Sequence, residues 1–112
     1  MDCLFCKIIN KELPAEIVFE DEKTIAFFDI HPKAKVHILI LPKIHIESIT
    51  SVDSDKIVGD LIKTAKQIAL EKKMEGYKLI FNVGRFGGQM IDHLHLHLLS
   101  GEKGMGELIG KV

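Results

Sequence analysis

The chain has 112 residues, enough for one hydrophobic core and too few for two, and its 46% hydrophobic and 28% charged residues are an ordinary globular balance. A formal net charge of −1 and a pI near 6.6 exclude the broadly basic surface of a general DNA or RNA binder, and no apolar run approaches the length of a membrane span. The start, Met1-Asp2-Cys3, has no signal-peptide pattern, so a cytoplasmic protein is expected; there, two cysteines spaced Cys3-x-x-Cys6 suggest a metal or redox pair rather than a structural disulfide.

Cys3 to Ile9 is short, apolar and compatible with a helix, which Pro14 closes off. Ile17-Val18-Phe19 and Thr24 to Phe28 read as paired strands about a Glu20–Lys23 turn, and Asp29-Ile30-His31-Pro32 breaks the second of them. Val36 to Leu41 is an apolar run interrupted by one histidine, His37; it fits a strand covered on both faces and stops at Pro42. Ser51 to Asp55 supplies caps for a helix over Lys56–Lys73, whose Ile57, Val58, Leu61, Ile62, Ala65, Ile68 and Ala69 recur on one face, with Gly76 as its stop. Tyr77 to Val83 is a further strand, Gly84 to Gln89 a glycine-rich loop, and Ile91 to Leu99 a last strand; Ser100 to Val112 reads as a loosely held tail. The expected architecture over residues 1–112 is a single α+β domain: a mostly antiparallel five-stranded sheet, one long helix and a short N-terminal helix.

The last strand carries the chemistry. In His93-Leu94-His95-Leu96-His97-Leu98 a strand sends the three histidines to one face and the three leucines to the other. Imidazoles make poor core filling because each ring has two nitrogens that need partners, so the row reads as a site. The middle residue, His95, is placed to attack phosphorus through a neutral nitrogen while an acceptor holds the other. Gly87-Gly88 lets backbone N–H groups approach an anion, and Gln89 and Asn82 add neutral donors. For Cys3 and Cys6, a zinc site would need two more ligands, best supplied by His45 and His93; the alternative is two small buried residues. Read singly, His31 is an exposed turn residue, His37 a core histidine and Asp29 a turn cap.

These motifs, together with Cys3-Leu4-Phe5-Cys6-Lys7-Ile8-Ile9, Ile17-Val18-Phe19-Glu20-Asp21, Ala26-Phe27-Phe28-Asp29-Ile30, His37-Ile38-Leu39-Ile40-Leu41-Pro42-Lys43-x-His45 and Asn82-x-Gly84, resemble the histidine triad (HIT) family over nearly the whole chain, specifically its Hint branch of purine nucleotide-binding phosphoramidases. The resemblance implies that His95 is the nucleophile, forming a nucleotidyl-histidine from a purine nucleoside phosphoramidate or acyl-nucleotide that water then cleaves. It implies that His97, Asn82, Gly88 and Gln89 hold the phosphate, that His37 supports the triad from behind, and that Asp29 accepts from the ribose hydroxyls. Phe5, Ile8, Leu13, Phe27, Ile30 and Leu39 would line the base pocket. Cys3, Cys6, His45 and His93 would bind a structural zinc, and two chains would join their sheets as a homodimer.

The sequence departs from the Hint pattern at Met90, where a serine or threonine near the leaving group is usual, and at Asp92, where an apolar residue is usual. On the leucine side of a buried strand, Asp92 would be a costly unpaired carboxylate. The tail also lacks the tryptophan of eukaryotic Hint proteins. Two other functions compete with the covalent hydrolase: a nucleotide-binding regulatory module with weak activity, and a hydrolase with a catalytic zinc on the triad itself.

Overall fold

The structure is a computed structural model that describes residues 3–51 and 54–101. The chain runs α1 (Leu4–Ile9), β1 (Ile17–Glu20), β2 (Thr24–Phe28), β3 (Val36–Pro42), α2 (Ser54–Glu71), β4 (Lys78–Ile80), a short 3-10 turn (Arg85–Gly87) and β5 (Leu96–Ser100). The strands form one sheet in the order β1-β2-β3-β5-β4, every neighbouring pair antiparallel. This is the α+β architecture that the sequence suggests. The described residues contain no helix long and apolar enough to cross a membrane. The tail beyond Gly101 lies outside the described residues.

The sheet is covered on both sides, for the reason the unbroken β3 run indicates. Its residues alternate between two cores. Ile38 and Ile40, with Ala26, Leu94, Leu96 and Leu98, pack against Leu61, Ala65 and Ile68 of α2. Ile25, Phe27, Leu39 and Leu41 face the other way and meet Cys3, Phe5 and Ile8 at α1. Leu96 and Leu98 are completely buried, which at roughly 2 kcal/mol per leucine makes the leucine half of the alternation a main anchor of β5. The histidine half is thereby turned toward α1.

Three boundaries differ from expectation. β5 begins at Leu96, not Ile91. Its pairing with β3 ends at Ile40 opposite Leu96; farther along, Pro42 has no N–H to offer, and Leu94 donates its N–H to Ile46 O instead, so His93 and His95 lie just before the ladder. β4 is shortened to Lys78–Ile80. The long helix spans Ser54–Glu71, where Lys56–Lys73 was expected. It is closed by Lys73 in the left-handed conformation (φ 55°), with Met74 N–H reaching back to Ala69 O; this is a Schellman ending, so Gly76 is not the stop.

Candidate functional site

α1 begins at an N-cap cysteine. Cys3 Sγ accepts the backbone N–H of Cys6, 3.3 Å away, so one helical turn brings both sulfurs to the same end of the helix. His45, from the segment after β3, and His93, from the segment before β5, complete the group. His45 Nδ1 is 3.3 Å from Cys6 Sγ, and His93 Nδ1 is 3.4 Å from Cys3 Sγ and 3.6 Å from Cys6 Sγ. All four ligand atoms lie within 4.8 Å of one another. A tetrahedral zinc with its usual bond lengths sets S···N edges of about 3.5 Å, so the donors fit that ion in kind and in spacing. The fit extends outward: His93 Nε2–H donates to Pro42 O at 2.8 Å, which leaves its Nδ1 lone pair facing the sulfurs. Burial, and then the neighbouring Cys3 sulfur, hold the Cys6 thiol above its ordinary range, so an ion bound there would displace a proton.

The tautomers of the other histidines follow from their fixed partners. His95 Nδ1 lies 2.7 Å from His93 O, which can only accept, so the proton is on Nδ1 and the lone pair is on Nε2. The backbone N–H of Lys33 donates to His37 Nδ1 at 3.1 Å, so the His37 proton is on Nε2 and is donated to His97 Nδ1 at 3.0 Å. His97 therefore carries its proton on Nε2, 3.4 Å from Asn82 Nδ2, so two N–H donors sit side by side and neither satisfies the other. Asp29 Oδ2 sits 3.6 Å from His37 Nε2, while its Oδ1 accepts the His31 N–H in the turn-capping manner expected of an aspartate before a turn.

Burial lowers the pKa of His37, His93 and His95, and with the nearby His95 and His37 it takes His97 down to about 4. The row is therefore neutral at pH 7. Stability then depends on pH in a definite direction. Between the ordinary histidine value of 6.5 and about 4 the unfolded chain binds more protons at His97 than the folded chain does. Unfolding midpoints in urea are expected to be level above pH 6.5 and to fall steadily as pH drops toward 4. A midpoint unchanged between pH 7 and 4.5 would contradict the neutral buried row.

His95 and His97 open into a pocket of about 620 Å³, within the range of small-molecule sites. All six residues expected at a base pocket line it: Phe5, Ile8, Leu13, Phe27, Ile30 and Leu39. Asp29, Asn82 and Gly88 line it too. Phe5 stands edge-on to His95, with ring centroids 5.0 Å apart. Gly88 has φ +87°, a conformation that a side chain rarely adopts, and its Cα faces the Asn82 carboxamide.

His37 lies behind His97 and outside the pocket lining. Two other residues sit differently from the sequence reading. Gln89 is buried and does not line the pocket: its Oε1 accepts the Gly84 N–H, and its Nε2 donates to Glu47 O and Ile91 O, so its side chain braces the loop from beneath. Asp92 is not on a buried leucine face. The ladder stops short of it, and it is half exposed in a two-pronged pair with Arg85 at 2.9 Å and 2.9 Å. Missing from the sequence reading are His31 and Lys33 as pocket residues. The role of Lys33 toward His37 is that of a backbone amide, which residue type does not signal.

The family profile of the HIT domain matches residues 10–104. The chain belongs to the HIT family. This HIT protein is 41% identical over 104 residues to the purine nucleoside phosphoramidase of Escherichia coli, with 89% of this chain and 87% of the relative covered. Among solved structures it is similar to a HIT family hydrolase from Legionella pneumophila (TM-score 0.84, 44% identity, 91% and 95% of the two chains). It is also similar to a histidine triad protein from Clostridium difficile (TM-score 0.86, 43% identity, 92% and 93%).

Proposed function

We propose that this HIT protein hydrolyses purine nucleoside 5′-phosphoramidates or acyl-nucleotides to the nucleoside monophosphate through a covalent intermediate on His95. The observation that carries the reading is the His95 ring itself. It is neutral, its proton is fixed on Nδ1 by His93 O, and its Nε2 lone pair is left free at a pocket. In the first step Nε2 attacks the α-phosphorus; the P–N bond breaks and the amine leaves with a proton taken from pocket water, or the P–O bond of an acyl-nucleotide breaks and a carboxylate leaves. The ring becomes cationic while it holds the phosphoryl group, and the His93 carbonyl then accepts a stronger, charge-assisted bond. Water next attacks phosphorus, the P–Nε2 bond breaks, and His95 returns to its neutral form.

His97, Asn82 and Gly88 hold the phosphoryl oxygens, with the His37-to-His97 bond keeping the donor on the correct nitrogen of His97. Gln89 serves the phosphate by shaping the loop. Asp29 accepts from the ribose, a task suited to a carboxylate with an oxygen left over from the turn. When bound at Cys3, Cys6, His45 and His93, zinc supplies a structural cross-link between α1 and the segments around residues 45 and 93. Supporting the substrate class is the name of the Escherichia coli relative.

We further place the protein in the cytoplasm, where its free Cys3 and Cys6 would remain thiols. A homodimer joined through the sheet is supported by β4, a three-residue edge strand that pairs with β5 on one side and leaves Leu79 partly exposed. The competing catalytic-metal reading draws on Asp29, His37 and His97, whose ligand atoms also lie within 4.8 Å of one another. Against it, the His97 Nδ1 lone pair already receives the His37 proton. The regulatory-module reading draws on Met90, an exposed pocket residue with no proton to give a leaving amine.

The test is release of AMP from adenosine 5′-phosphoramidate by the purified protein, followed by chromatography. Hydrolysis above the spontaneous rate is expected. Tight AMP binding with no release would favour the regulatory module.

A further inference from the structure

The pocket is short of positive charge, and one lining residue answers the deficit. The nucleotide brings a phosphate with one or two negative charges. Asp29 adds another negative charge to the same wall. His95 and His97 contribute hydrogen bonds rather than charge in this reading: His95 keeps its Nε2 lone pair for the attack, and His97 Nδ1 is occupied by the His37 proton. Among the described residues lining the pocket, the one side chain that is always cationic at neutral pH is Lys33. Arg85, at the loop on the other side, is not in the lining and is clasped to Asp92. Among the described residues no carboxylate forms an ion pair with Lys33. Its backbone N–H sits on the His37 ring, which in turn donates to His97, so its side chain leaves the backbone at the end of the pocket where His97 waits.

We infer that Lys33 supplies the fixed positive charge that holds the nucleotide's phosphate against His97 and Asn82, offsetting the charge of Asp29. The inference rests on the nucleotide reading above and names a residue that neither the triad nor the glycine loop includes. Lys33 has two separable parts. Its backbone N–H fixes the His37 tautomer at 3.1 Å, and its exposed side chain supplies the charge. A side-chain substitution therefore removes the charge and leaves the His37-to-His97 chain in place.

The experiment is calorimetric titration of AMP and of adenosine into the full chain and into Lys33→Met and Lys33→Arg, each at low and high salt. The wild type is expected to bind AMP more tightly than adenosine, with a preference that weakens as salt rises. Lys33→Met should lose about tenfold in AMP affinity, the order expected for one screened charge acting on a phosphate. Its adenosine affinity should stay within about twofold, because the base and ribose contacts are untouched. Lys33→Arg should keep the AMP preference. Three results would overturn the inference and leave the nucleotide reading standing: unchanged AMP affinity in Lys33→Met, an equal loss for AMP and adenosine, or a Lys33→Arg protein that behaves like Lys33→Met. A wild type that binds neither compound would overturn both.

Discussion

Replacing His95 with alanine is expected to lower the turnover of adenosine phosphoramidate by about four orders of magnitude or more, the scale on which a covalent nucleophile acts. AMP affinity is expected to change by less than about tenfold, since the base pocket and the His97–Asn82 contacts remain. The asymmetry is what separates the readings. A residue that mainly binds would raise KM with kcat preserved, whereas a nucleophile acts only in the bond-making step. The substitution is also structurally mild: the His95 ring donates to a backbone carbonyl and touches Phe5 at its edge, and neither contact anchors the sheet. Steady-state kinetics beside calorimetry with AMP measures both quantities. Retention of more than about a tenth of wild-type kcat would be incompatible with nucleophilic attack by His95.

The second large effect is on stability. If zinc fills the Cys3, Cys6, His45 and His93 group, stripping it with a chelator is expected to lower Tm by roughly 15 °C or more, because an ion held at about a thousand times its Kd stabilises a fold of this size by about 4 kcal/mol. That ion would join the N-terminal helix to segments 39 and 90 residues away in sequence, so on its removal α1 and the pocket wall it carries, Phe5 and Ile8, should loosen first. Below the lowered Tm, turnover per folded molecule should persist, since no step of the proposed chemistry runs through the ion. Differential scanning calorimetry and AMP release on the same stripped sample check both parts. Activity lost at a temperature where the stripped protein is still folded, and restored by zinc, would favour the catalytic-metal reading.

The alternation of leucine and histidine was legible because a strand has a period of two and because leucine and imidazole differ so strongly in their need for partners. It correctly divided residues 93–98 between the α2 core and the α1 side. The metal quartet was legible as residue types: Cys3 and Cys6 are one helical turn apart, while the approach of His45 and His93 is a tertiary fact that spacing alone leaves open. What escaped the sequence is mostly backbone. Nothing in residue identity says that His93 offers its carbonyl to His95, that Lys33 offers its N–H to His37, or that the N–H of Leu94 leaves the sheet for Ile46 O. Gln89 was read from its donor capacity as facing the phosphate. The unpaired backbone groups of the Gly84–Ile91 turn and of Glu47 take up that capacity instead. Asp92 escapes the leucine face because the strand ends short of it; its partner, Arg85, lies across a loop whose closure the sequence does not display.

The most direct test of covalent catalysis is the intact mass of the protein within milliseconds of mixing with adenosine phosphoramidate, quenched without acid so that the histidine–phosphorus bond survives. A mass gain of one adenylyl group on the wild type, absent from His95→Ala, is the predicted result. An adduct that persists in His95→Ala, or a wild-type adduct mapped to a residue other than His95, would contradict it.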